Sequence, residues 1–470
     1  MNRGSLFLPL ICLAFVSAVQ ADDLLAVYDR AVLNDPQIRE ADATRLAQRE
    51  ARPQAIASLL PQVSGAADKG RSWSDGSNSG AQLIGTTLFP NNTRFSTVND
   101  SEGWNLNIRQ NVFSWNNWVA LKQASHLVAQ AEANYVVAQQ GLAQRVAQQY
   151  FAVLAAQDTV EALEAARDAF ARQLDQADKR FEVGLIAITD VQEARAARDQ
   201  AAAAVISAKR SLSNAQEQLR ATIGDKPNVL NKPAETMPLL TPSPASEDEW
   251  VKTSMENNAT LLSSRLSADI ARDEVHSAFA GHLPTVDLIA GRSYDKGDGS
   301  RITNGIPSSN SSNSYGKSIT LQLNVPLFSG GATQSRVRQT QYQWIAAKER
   351  LERSSRETER LARDSYLGVN SGISQVQALR QALESRQTAL KATEAGYEVG
   401  TRTAVDVLDA RRALAQAQTD YAQSRYTYLN NLIQLRLASG DLDRTTLEEI
   451  NKWLTVPTTA PAPNPLPPSP

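Results

Sequence analysis

Twenty prolines punctuate this 470-residue chain, yet none lies between Pro90 and Pro227 and none between Pro326 and Pro457. A proline inside a helix costs about 3 kcal/mol or more, so two proline-free stretches of this length are places for long helices. Their composition agrees: 28 of the 105 residues from Val119 to Ile223 are Ala, the best helix former. Glycines are few and punctuate the same stretches at Gly184, Gly224, Gly396, Gly400 and Gly440. The pattern predicts helix from Asn116 to Phe181, a turn at Val183-Gly184-Leu185, and helix from Thr189 to Thr222. In the second half it predicts helix from Ala332 to Ala395, a turn around Gly400, and helix from Thr403 to Ala438. A helix of about 65 residues is about 100 Å long. Such helices belong to coiled coils or to tubes of helices, and abundant Ala lets helix axes approach closely. An ordinary antiparallel coiled-coil rod satisfies the same pattern.

The pattern occurs twice. Sliding the chain by 216 residues aligns Arg180–Gly224 with Gly396–Gly440 without a gap, and 15 of the 45 pairs are identical. Among them are Glu182/Glu398, Val183/Val399, Gly184/Gly400, Asp190/Asp406, Val191/Val407, Ala194/Ala410, Arg195/Arg411 and Gly224/Gly440, and Tyr150 falls on Tyr366. Upstream the register shifts, and Leu60-Pro61-Gln62-Val63 matches Leu283-Pro284-Thr285-Val286, while Phe113-Ser114 matches Phe328-Ser329. Shared Ala bias does not produce a Glu-Val-Gly turn followed by Asp-Val and Ala-Arg, so the chain reads as a tandem duplication. The expected division is residues 22–224 and 246–454 as the two repeats, joined by a linker over 225–245.

Between these anchors the period changes. Trp104, Leu106, Ile108 and, less regularly, Val112 alternate with polar residues, and Ile319, Leu321, Leu323 and Val325 do so strictly. Val63, Gly65 and Ala67 in one half, and Val286, Leu288 and Ala290 in the other, supply partners. This is the signature of strands with one apolar face. The connecting segments Ser74–Gly103 and Asp295–Gly316 are rich in Gly, Ser and Asn and read as long exposed loops. Two readings remain for four such strands. One is a soluble sheet covered by helices. The other is a share of a transmembrane barrel, which four strands cannot close alone, so that a dimer (eight strands) or a trimer (twelve) would be required.

Several classes are excluded. With 48 Lys+Arg against 50 Asp+Glu, the chain has no basic excess for a nucleic-acid partner. No apolar run after the N-terminus reaches the length of a spanning helix. His126, His276 and His282 are scattered, without carboxylate or Cys partners at ligand spacing, and read as structural. No phosphate-cradling Gly loop or nucleophile elbow occurs, so neither a cofactor nor a catalytic residue is expected. Residues 1–21 carry Arg3, a short apolar core from Leu6 to Val16, and Val19-Gln20-Ala21 as a cleavage site. They read as a signal peptide, with Asp22 as the mature start. The single cysteine, Cys12, leaves with it, because Pro9-Leu10-Ile11 fits a lipid-acceptor motif poorly. Residues 455–470 hold 7 prolines and read as a disordered, polyproline-like tail.

The segments RFEVGLIAITDVQEAR (Arg180–Arg195), GYEVGTRTAVDVLDAR (Gly396–Arg411), HLPTVDL (His282–Leu288) and NVPLFSGG (Asn324–Gly331) resemble the hairpin tips, strand entry and strand exit of the outer membrane factor family. The likeness runs to about Leu454. The resemblance implies a homotrimer with one shared 12-stranded barrel in the outer membrane above an all-α tunnel of long helices in the periplasm. It implies an exit duct for type I protein secretion and multidrug efflux, working with a periplasmic adaptor and an inner-membrane pump of the ABC or RND type. One departure is Asn111-Val112-Phe113 where the second repeat has Pro326-Leu327-Phe328, so the strand-to-helix bends are expected to differ. The rival reading, a periplasmic adaptor or coiled-coil scaffold without a channel, predicts one helical hairpin, small β-domains and an inner-membrane anchor in place of two helical halves.

Candidate functional residues concentrate at the tips. Asp406 and Asp409 lie three apart, on one helix face. Thr403-x-x-Asp406 also fits an N-terminal capping box, and either role satisfies the sequence. In the implied trimer the two positions form rings of carboxylates at a cation-selective constriction. Arg402 stands opposite Ile186 in the alignment, so only the second tip carries a cation, while the first offers Thr189 and Asp190. A charge-assisted link from Arg402 to Asp190 or Thr189, with Tyr397 as a further donor, would tie the helix pairs together. By resemblance these are gate contacts. Val183, Gly184 and Leu185, with Val399, Gly400 and Thr401, form the turns, and by resemblance they meet the adaptor.

Overall fold

The computed structural model describes residues 22–455. The expected signal peptide, with Cys12, and nearly all of the expected Pro-rich tail lie outside the described residues. The chain runs α1 (Leu24–Asn34), α2 (Pro36–Arg49), α3 (Ala51–Ala57), β1 (Gln62–Ile84), β2 (Thr87–Phe113), α4 (Trp115–Glu182), α5 (Ile188–Ile223) and β3 (Lys232–Pro233). It continues through α6 (Glu247–Asn257), α7 (Ala259–Ala280), β4 (Thr285–Thr303), β5 (Ile306–Asn324), α8 (Ala332–Glu398), α9 (Ala404–Ser439), α10 (Arg444–Asn451) and β6 (Leu454–Thr455). The proline-free stretches hold helices of 68 and 67 residues, each followed by one of 36. Thus the order helix, strand pair, long helix, turn, helix appears twice, as the duplication requires.

The chain forms two compact units. The first comprises residues 22–44, 132–263 and 352–455 of the described chain. Its core gathers Leu142, Val146, Tyr150, Phe151 and Leu154 of α4, Leu219 and Ile223 of α5, and Tyr428, Leu429, Ile433 and Leu435 of α9. The short α1 and α10 close it with Leu24, Val27, Leu447 and Ile450. The aligned tyrosines hold matching positions. Tyr150 donates its hydroxyl to the carbonyl of Asn231 at 2.8 Å, and Tyr366 donates to the carbonyl of Ala245 at 2.9 Å. Each thereby ties a long helix to the non-helical segment beside it, which satisfies polar groups that burial would otherwise penalise.

The second unit comprises residues 45–131 and 264–351. It contains an antiparallel sheet in the order β1-β2-β4-β5. The four alternating segments pair with all their apolar positions on one face. Ile108 faces Val63 and Ala290, Trp104 faces Ala67 and Tyr294, and Leu288 and Ala290 face Leu321 and Ile319. After Ile108 the alternation is interrupted by Gln110, and a bulge between Asn111 and Phe113 leaves Val112 without a cross-strand partner. The two strand exits differ. Ser114 alone separates β2 from α4, whereas residues 325–331 separate β5 from α8, with Gly330 and Gly331 both at positive φ. In the same unit, fully buried Asp273 of α7 meets Nδ1 of His126 at 2.7 Å and Lys122 Nζ at 3.2 Å. The sequence showed no carboxylate beside His126, but the fold supplies one. The contact pins α4 to α7, so the histidine is structural.

The expected long loops are corrected to strands. Ser74–Ile84 continues β1, residues 87–103 open β2, and 295–316 lie almost wholly in β4 and β5. Only Gly85-Thr86 and Asn304-Gly305 are left to turn. Asn304 and Gly305 both have positive φ (49° and 82°), as a tight hairpin turn of the mirror-image type requires. Polar composition did not prevent strand formation because the ladder itself satisfies the backbone. Cross-strand ion pairs add to it: Lys69–Glu102 at 3.0 Å, and both side-chain bonds of Arg71 to Asp100.

Candidate functional site

Both tips close with the same backbone device. In the first, the N–H of Leu185 reaches the carbonyl of Arg180 and that of Gly184 reaches Phe181, both at 2.8 Å. In the second, Thr401 reaches Gly396 at 2.8 Å and Gly400 reaches Tyr397 at 3.2 Å. This double bond pattern ends a helix through a left-handed residue, and Gly184 and Gly400 supply it with φ of 75° and 80°. The turns hold their aliphatic residues out in solvent: Val183, Leu185 and Val399 are 69%, 73% and 75% exposed.

Past the turns the repeats diverge. In the first, Ile186 packs against a small cluster of Ala177, Val191 and Ala194. In the second, the stem of Arg402 lies across Gly396, where a Cβ would come within 2.8 Å of Arg402 Cγ. Helix α9 begins with a complete capping box. Thr403 Oγ1 accepts from the Asp406 N–H at 3.2 Å, and the Asp406 carboxylate accepts from the Thr403 N–H at 2.8 Å. The Thr403 N–H first, and then the Thr403 hydroxyl, which donates to the same carboxylate at 2.9 Å, hold the Asp406 carboxyl below the ordinary aspartate range. Its counterpart α5 follows Ala187, which offers no side-chain cap. Asp409 bonds Arg412 at 2.7 Å, one turn along.

Within one chain, neither Thr189 nor Asp190 forms a side-chain bond to Arg402 among the described residues. The repeats meet elsewhere. The guanidinium of Arg180, at the end of α4, stacks over the ring of Tyr397 with 4.8 Å to the centroid. Leu408 of α9 inserts beside Phe170, Ala197 and Ala201 of α4 and α5. Reading the sequence alone missed Arg180. The available signal was its alignment with Gly396, the same kind of mismatch that singled out Arg402. Nearby, Arg411 bonds Glu394 at 2.7 Å, tying α9 to α8.

The sheet of the second unit is equally informative. One face carries Val63, Trp104, Leu106, Ile108, Leu288, Ile319, Leu321 and Leu323, all substantially exposed. The other carries Asn105, Asn107, Arg109 and Gln322, with Asp287 bound to Arg109 at 3.0 Å. Strands β1 and β5 form the two outer edges. Strands of 19 residues or more exceed the 9–11 that a bilayer crossing needs.

The family of outer membrane efflux proteins matches residues 27–225 and 250–441. The chain belongs to that family. It is 35% identical over 451 residues to the outer membrane protein TolC of Escherichia coli, covering 94% of this chain and 87% of that one. It is 29% identical to the alkaline protease secretion protein AprF of Pseudomonas aeruginosa, covering 90% and 86%. The crystal structure of the Campylobacter jejuni CmeC outer membrane channel has the same fold, with a TM-score of 0.72, 18% identity, and 93% and 91% of the two chains covered. This outer membrane efflux protein is therefore an outer-membrane channel with its helical part in the periplasm. That accounts for a sheet that is apolar on an exposed face. Among the described residues, no helix is long and apolar enough to cross a membrane. No group of three or more His, Cys, Asp or Glu suited to a metal occurs among the described residues.

Proposed function

We propose that three copies of this chain close one 12-stranded barrel in the outer membrane and one helical tunnel beneath it. The supporting observation is the pair of open edges, β1 and β5, on a sheet that is apolar on one face and polar on the other. Lipid tolerates no unpaired strand edge. In the order β1-β2-β4-β5 the two edges run antiparallel, so β5 of one copy can pair with β1 of the next and continue the alternation. A dimer would give eight strands and leave little lumen, whereas twelve leave room for a passage. The two repeats, residues 22–224 and 246–454, supply equivalent walls, joined by 225–245.

The duct serves type I secretion of proteins and efflux of small toxic compounds. Its helix tips meet a periplasmic adaptor through Val183, Gly184, Leu185, Val399, Gly400 and Thr401, and an inner-membrane ABC or RND pump supplies the energy. Asp406 and Asp409 line a cation-selective constriction. Arg402 reaches Asp190 and Thr189 of a neighbouring copy, since the chain does not bring them together internally, and Tyr397 completes the gate. Heat-modifiable migration of the purified trimer in unboiled detergent, with cation-selective currents in planar bilayers, is the expected result. A monomer that stays in buffer and conducts nothing would refute the proposal. Arg402→Ser is expected to enlarge single-channel conductance; unchanged conductance removes Arg402 from the gate.

A further inference from the structure

Arg292 of β4 and Lys317 of β5 are direct cross-strand partners, both exposed. They lie on the apolar face, between the row Ala290–Ile319 and the row Tyr294–Tyr315. Side chains facing each other across an antiparallel pair sit roughly 4.5–5.5 Å apart at Cβ, and like charges so placed repel. The next residues of their row, Leu106 and Gly65, offer no carboxylate. All acids on this face lie farther toward the hairpin turns: Glu102 pairs with Lys69, Asp100 with Arg71 and Asp298 with Lys296, and Asp75 of β1 lies beyond them, in the row of Ser96 and Ile302. A neighbouring copy would not cure the repulsion. Its β1 edge presents Val63, Gly65, Ala67, Lys69, Arg71 and Trp73 on this face before its first acid, Asp75, and register parity keeps that set on the lipid side.

We infer that Arg292 and Lys317 bind the phosphates of the anionic glycolipid that forms the outer leaflet. The strand ends that lead into helices face the periplasm, so the rows toward the hairpin turns lie near the outer surface. There the tyrosine pair (ring centroids 4.9 Å apart) and Trp104 form an aromatic row of the kind found where acyl chains meet headgroups. Long cationic side chains one row inside that belt extend toward the headgroups, and two cations side by side across a strand pair match a phosphate. The inference rests on the membrane-barrel reading.

The test uses the full-length trimer in detergent, with thermal melting and lipid retention followed for wild type, Arg292→Gln/Lys317→Gln and Lys317→Glu. Lipopolysaccharide is expected to raise the melting temperature of wild type. Its retention should fall about tenfold in the double variant, and dephosphorylated lipopolysaccharide should be retained no better by wild type than by that variant. Lys317→Glu, which pairs internally with Arg292, should melt higher than wild type in detergent alone and respond to no added lipid. If the double variant does not assemble, Lys317→Glu carries the test alone. Equal retention by all three proteins overturns the inference. So does an equal stabilisation by inorganic phosphate, which would make the site one for free anions. Conductance separates this outcome from failure of the barrel: a lipid-facing pair leaves single-channel current unchanged, whereas a protein that forms no channel refutes the barrel itself.

Discussion

Removing the Arg180–Tyr397 contact tests whether the repeats are clasped at their tips. A guanidinium 4.8 Å from a ring centroid, both groups half-buried, is worth about 0.5–1 kcal/mol. Three copies in the proposed trimer sum to about 1.5–3 kcal/mol, which shifts a closed-to-open ratio by about 10- to 150-fold. Tyr397→Ala and Arg180→Ala are each expected to raise the open-to-closed ratio in planar-bilayer recordings by that factor. The double variant should do no more than either single one, because both delete the same contact. Arg180→Lys should fall between, since an ammonium keeps the charge without the planar stacking surface. The reasoning fails if Arg180→Ala leaves the current unchanged while Tyr397→Ala opens the channel. Additive effects of the two would also defeat it, since Tyr397 would then act through another partner.

Three further perturbations follow from local geometry. Gly440→Ala should be severe: its Cβ would meet the Asn257 carbonyl at 2.5 Å while φ is 82°, so the loss should exceed the 1–2 kcal/mol of the left-handed backbone alone, as read by melting of the assembled protein. Gly184→Ala, with open space around it and φ of 75°, should show only that backbone penalty. Tyr150→Phe leaves the Asn231 carbonyl without its 2.8 Å donor in a buried site and should cost about 1–3 kcal/mol, measured by denaturant midpoint. The lowered Asp406 carboxyl stays ionised through the pH range in which an ordinary aspartate protonates. Its contribution to helix capping, and to the proposed cation selectivity, is therefore present above the ordinary aspartate value and disappears only as pH falls through its own lower value. Thr403→Val should move that loss upward in pH, as followed by reversal potentials.

The long helices and their turns were legible because proline and glycine act locally. The inner half of each strand was legible because its apolar residues alternate. The outer halves were not, because Ser, Gly and Asn carry weak strand preference and only cross-strand partners decide their state. Asn304-Gly305 did carry a hairpin signal, but it sat in the middle of what composition marked as loop. For Arg180 the repeat alignment marked a mismatch with Gly396 but not its partner, because Tyr397 is 217 residues away and no local pattern links the two. The capping role of Asp406 could be read from Thr403-x-x-Asp406, whereas the Arg412 partner of Asp409 lies within reach of any helix and carries no distinctive spacing.

The duplicated segments agree and differ for separable physical reasons. Identities collect where the backbone allows no choice: Gly184 and Gly400 in left-handed turns, and Gly224 and Gly440 at helix ends, all at positive φ. They also collect where one helix packs on its partner, as with Val191 and Ala194 in the first tip and Val407 in the second, all three buried. Of the differences, Arg180/Gly396 lies where one repeat touches the other, while Ile186 and Arg402 each pack within their own repeat. Arg180 stands against Gly396, and Ile186 against Arg402. Glycine at 396 leaves room for the Arg402 stem, while arginine at 180 supplies the cation over Tyr397. A ring built from two identical repeats would present six equivalent tips, and no contact could distinguish alternate helix pairs. Divergence at these two aligned pairs gives the tips unlike partners, which is the condition for contacts between repeats to break while the Gly-capped turns within each repeat remain intact.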